Sequence, residues 1–118
     1  MARTQLETIR MPLDRAVHAQ PHQMMDTRNG MEIHIGGARN ILLQVSNDGP
    51  STATIVVRGG DRTVRIAGNG EDECVQIASM ESRYIGPLDA GEFVQPGGFL
   101  WLDFTLETVG RISAYRVD

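Results

Sequence analysis

All thirteen glycines of the chain lie at or beyond Gly30, in the gaps between short runs of alternating or β-branched residues. That punctuation leaves no stretch long and periodic enough for a helix of ordinary length, so it constrains the fold more than any other feature. Arg28-Asn29-Gly30 is a turn signal, followed by strict alternation in Met31–Ile35. Gly36-Gly37 breaks the chain before Asn40–Val45, where Ile41, Leu43 and Val45 share a face. Asn47-Asp48-Gly49-Pro50 is a strong turn, because Asp-Gly tolerates positive φ and proline fixes the exit.

Thr52–Arg58 is rich in β-branched residues and predicts a strand buried on its Ala53/Ile55/Val57 side. Gly59-Gly60-Asp61 turns into a strand predicted over Thr63–Ala67, and Gly68–Glu73 reads as a solvated acidic loop. Strands are predicted at Cys74–Ala78, at Arg83–Ile85 up to a Gly86-Pro87 break, at Phe99–Thr105 and at Arg111–Val117. Between the second and third of these runs, a loop bearing Phe93 and a Gly97-Gly98 turn fold one strand back on the other. Seven or so short strands at intervals of about ten residues predict an all-β domain over 30–118. The pattern fits a single antiparallel β-sandwich or a small barrel, jelly-roll or immunoglobulin-like.

Residues 1–29 have a different composition. Five of the six methionines lie at or before Met31, and the segment also holds His18, His22, Pro12 and Pro21. It has too little periodic apolar content for a core of its own and reads as an extended N-terminal arm. Thr4–Met11 has room for a helical turn or two, which Pro12 would stop. Ile9, Met11, Leu13, Val17, Met24 and Met25 are apolar side chains expected to dock the arm on a partner rather than remain in water. A solvated tail is the competing expectation.

Bulk properties exclude several classes. At 118 residues the chain is long enough for one core without metal or disulfides, and its single cysteine, Cys74, allows no intrachain bridge. No His or Asn is placed to suggest that Cys74 is a nucleophile, so a half-buried strand position is expected. The formal charge of −4 argues against a nucleic-acid surface. All eleven cations are arginine, which fits a GC-rich genome and also suits interface ion pairs. No apolar stretch approaches the roughly 20 residues of a membrane-spanning helix, and the start lacks the apolar segment of a secretion signal. A soluble protein made in the cytoplasm is the expectation.

Motifs for chemistry are weak. Gly68–Glu73 lacks the spaced carboxylates of a calcium loop. His18 and His22 are separated by Pro21, which spoils a helical ligand face, and His34 is expected on the polar face of its strand. Asp89, Glu92 and Asp103 have nothing to fix a catalytic separation. The glycine pairs open no helix and so make no phosphate loop. Trp101, Tyr84, Phe93 and Phe99 would serve as a sugar-stacking platform only if they converged, and with six aromatics in the chain packing is the better expectation. No enzyme activity, cofactor or metal is expected.

The elements Asn40–Ser46, Thr52–Gly60, Tyr84-Ile85-Gly86-Pro87, Phe93, Gly98–Thr105 and Ile112–Val117 follow an order that resembles small virion proteins of tailed bacteriophages, especially those infecting actinobacteria. The resemblance covers about two thirds of the chain and leaves out residues 1–29. It implies a decoration or cement protein on the outside of a capsid, or a minor part of head or tail. The implied partners are the major capsid protein and sister copies, often as a homotrimer, with no nucleic acid and no membrane. Pro87 and Phe93 are then expected to face a neighbouring chain, alongside the arm residues. A carbohydrate- or host-binding sandwich is the alternative function.

Overall fold

Alternation decides which residues are buried, and the computed structural model, described over residues 3–10, 23–59, 72–95, 97–105 and 108–117, follows it closely. Strands β4 (Met31–His34), β5 (Asn40–Asn47), β6 (Ala53–Val57), β7 (Glu73–Ile77), β8 (Ser82–Asp89), β9 (Phe99–Phe104) and β10 (Gly110–Val117) carry the glycine-punctuated part. Three shorter strands precede them: β1 (Thr4–Gln5), β2 (Thr8–Arg10) and β3 (Gln23–Met24). They form two sheets, one in the order β1-β4-β9-β6-β7 and one in the order β2-β10-β5-β8, with β3 also paired to β10. The fold is a β-sandwich. The strand predicted over Thr63–Ala67 and the loop residues 68–71 lie outside the described residues, as do Met11, Leu13, Val17, His18 and His22.

Between the sheets, Ile33, Ile55, Leu100 and Leu102 from one face Ile41, Leu43, Val45 and Ile112 from the other, all fully buried. A core residue of this kind contributes about 1.5–3 kcal/mol by leaving water. Pairing is antiparallel throughout the glycine-punctuated part, whereas β1 runs parallel to β4 and β2 runs parallel to β10. Among the described residues, the parallel pairs therefore come only from the N-terminal strands.

Three expectations are corrected by the structure. Thr4–Met11 forms no helical turn in its described part, Thr4–Arg10, because two sheet edges take its backbone. The amides of Thr4 and Leu6 donate to the carbonyls of Gly30 (3.0 Å) and Glu32 (2.8 Å). Gly86-Pro87 does not end its strand: β8 continues to Asp89, with a register shift opposite Ile41–Leu43 and a cis bond at Gly86–Pro87. Proline, which donates no backbone hydrogen bond, is accommodated there because β8 is the last strand of its sheet. Cys74 is exposed rather than half-buried.

The loop after β8 contains α1 (Ala90–Phe93), a single turn capped by Asp89, whose carboxylate accepts from the Gly91 amide at 2.9 Å. The turn directs Phe93 into the core. Gly97 and Gly98 both have positive φ and close the hairpin into β9, as expected of that pair.

Candidate functional site

The two lateral sides of the sandwich differ. On one side β1 ends the first sheet and β2 ends the second, and Leu6, between them in the chain, is fully buried. A short N-terminal segment thus crosses from one sheet to the other and plugs the seam. Polar contacts fix it. The Asp26 carboxylate accepts hydrogen bonds from the Thr4 hydroxyl, from the amides of Arg28 (3.2 Å) and Asn29 (3.1 Å), and from the Asn29 side chain (3.1 Å). Thr4 and then Asn29 hold its pKa down to about 2.

Arg3 donates to the Leu102 carbonyl at 2.9 Å and to Asp103 at 2.8 Å, and its guanidinium lies 5.0 Å from the centre of the Trp101 ring. Gly30 lies beneath this contact. A Cβ there would sit 2.6 Å from Arg3 Nη1 and 2.7 Å from Asp103 Oδ1, and its φ is +73°.

Asp103 also meets Arg58 at 3.4 Å, and Arg58 meets Asp72 at 3.6 Å. A polar recess of about 400 Å³ adjoins these groups. Its two guanidiniums are matched by two carboxylates, so it carries little net charge for a ligand to neutralise. The arrangement works as a clamp on the N-terminal segment.

On the opposite side, β7 ends the first sheet and β8 ends the second, and neither edge is covered by a further strand of the described chain. Near the turn that joins them, Arg83 donates to the Gln76 carbonyl at 3.0 Å and bridges the two edges. Farther from that turn lies a cleft of about 430 Å³. Val75, Ile85, Leu88 and Phe93 give it an apolar floor, and Glu73, Asp89 and Glu92 stand at its margin with Arg83 and Tyr84. Tyr84 is 59% exposed. Three carboxylates against one guanidinium make the cleft acidic, and none of the three forms an ion pair with a described residue.

The expected contact residues are scattered over these features. Pro87 is exposed and lines the cleft. Phe93 and Met25, expected to face a partner, are instead 7% and 9% exposed and complete the chain's own core. α1 turns Phe93 inward, and Met25 follows a pairing partner that the local sequence does not reveal, its amide tied to the Gly110 carbonyl at 3.0 Å. Met24 is 63% exposed and Ile9 half-buried. His34 is on the polar face of β4, edge-on to Phe99 with ring centres 5.3 Å apart.

The aromatics do not converge on a platform: Trp101 is covered by Arg3, Phe93 is buried, and Tyr84 belongs to the other sheet. Among the described residues no three His, Cys, Asp or Glu side chains group to hold a metal ion, and no helix is long and apolar enough to cross a membrane.

The residues that sequence reasoning passed over are the cleft's own: Val75, Ile85 and Leu88 as floor, Glu73 and Glu92 as rim. One local signal was present, since Asp89 with Glu92 three residues on is a helix-start pattern that would have placed Phe93 on a turn. Nothing local marks β7 and β8 as edges. No family model, curated protein or solved structure matches the chain.

Proposed function

We propose that this chain is a structural binding protein that joins a larger protein assembly through the open side of its sandwich. The assembly we propose is a capsid, with the chain acting as decoration or cement on the outer surface and the major capsid protein as its partner. Two supports stand behind this reading. The order of elements from Asn40 to Val117 resembles small virion proteins, and among the described residues one side of the sandwich leaves two strand edges and a cleft with an apolar floor uncovered while the other is sealed. The second observation carries most of the weight, because an uncovered edge with an apolar floor is a surface that gains free energy when another chain covers it.

The mechanism follows from repetition. Each contact at about 25 cal/mol per Å² is modest, and the effect is multiplied over the many equivalent positions of a lattice. A trimer around local threefold axes would let each copy brace its neighbours.

The test is to add the purified chain to capsids assembled without it, then count bound copies and record the temperature at which the shells open. Saturable binding at a fixed number of copies, with a higher opening temperature, is the expected result. Absence of the chain from washed particles removes the reading.

A further inference from the structure

We propose that the cleft between β7 and β8 receives an extended peptide segment in which arginine or lysine alternates with aliphatic residues, laid along the edge of β8. This deepens, and rests on, the reading of the open side as the binding face. Three observations converge on that occupant.

The first is shape. β8 is an eight-residue strand with no neighbour on its outer side among the described residues, and the cleft runs beside it from Glu73 and Val75 to Glu92. A segment added to such an edge is extended, so its side chains alternate between two directions at about 3.3 Å per residue.

The second is the floor. Val75 is only partly buried against the core, and Ile85 and Leu88 line the same space. Every other side chain of an added strand would meet these apolar groups, which favours aliphatic residues there.

The third is charge. Glu73, Asp89 and Glu92 border the cleft without ion-pair partners among the described residues, while Arg83 is committed to the Gln76 carbonyl. Cations at the alternate positions relieve the mutual repulsion of the carboxylates, and anions there would add to it.

Charges and a proline on an edge strand also have a protective use, keeping copies from pairing edge to edge. That use predicts an empty cleft, and the experiment separates the two. The probe is a fluorescein-labelled, end-capped hexapeptide, Arg-Val-Arg-Val-Arg-Val, titrated with the full chain and read by anisotropy. Controls replace valine by serine or arginine by glutamate.

The expected result is saturable binding of the probe, weaker by about tenfold or more when serine removes the apolar side chains, and none with the glutamate peptide. Glu73→Gln with Glu92→Gln should weaken the probe severalfold and flatten its salt dependence. Val75→Arg, checked for folding by circular dichroism, should abolish binding. Equal binding of the valine and serine peptides would overturn the proposal, as would indifference to Val75→Arg in a folded protein or no binding at all.

The two readings fail separately. A chain that binds the probe but never attaches to particles contradicts the capsid role alone. Attachment to particles that survives Val75→Arg contradicts the cleft alone.

Discussion

The sealed and the open side of this sandwich face the same physical problem, a sheet edge with backbone groups and apolar seam exposed, and meet it differently. On the sealed side the chain supplies its own cover, two very short parallel strands with Leu6 between them, held by Asp26 and by the Arg3 clamp. On the open side no described residue supplies a covering strand, and what stands there is a carboxylate rim, Pro87 and the protruding Tyr84. Cover is costly in conformational entropy, so a chain that orders its N-terminus along one side has gained stability there. An edge left bare is free to gain by binding.

Substitutions should therefore act on stability at the sealed side and on binding at the open side. The largest stability effect is expected for Leu6→Ala, which opens a cavity at a fully buried position and should cost about 2–5 kcal/mol in urea denaturation. Val75→Ala, at the half-covered floor of the cleft, should cost about 1 kcal/mol or less. Similar losses at the two positions would mean that the N-terminal strands do not seal the seam.

Gly30→Ala comes next. It demands a positive φ of alanine and sets a methyl group against Arg3, Asp103 and the Leu102 carbonyl. A loss of about 1–3 kcal/mol is expected. Arg3→Ala in the same background removes one of the three obstructing groups, and the double variant should lose less than the sum of the two single losses.

Asp26 gives a smaller, pH-dependent signature. Its folded pKa of about 2 lies below the ordinary 3.8, so its contribution is present in full above that ordinary value. It fades as pH falls toward 2, where the folded carboxylate takes up its proton. Melting temperatures from pH 5 downward should fall more steeply in the parent than in Asp26→Asn, and parallel curves would remove Asp26 from the anchor. Least of all, Tyr84→Ala should leave stability within about 0.5 kcal/mol of the parent.

How far the sequence reveals this depends on range. Strands such as Ala53–Val57 and Phe99–Phe104 are legible because glycine turns and period-two burial are local properties. β1 and β2 are not, being two and three residues long, too short to show any period. Their partners lie far along the chain, Met31 for Thr4 and Ala114 for Thr8, and Leu6 stands as a lone leucine among polar neighbours. The weak helical tendency of that stretch yields to tertiary pairing. The cleft is hidden for a related reason: it exists because β7 and β8 finish different sheets, and lateral order is a property of the whole topology.

The claim that one side is sealed by the chain and the other is kept for a partner is tested most directly by amide hydrogen exchange, read by mass spectrometry on the chain alone and on the chain bound to its assembly. Residues Thr4–Arg10 should be protected alike in both, and Ser82–Asp89 should gain protection on binding. New protection confined to Thr4–Arg10, with Ser82–Asp89 unchanged, would contradict the account.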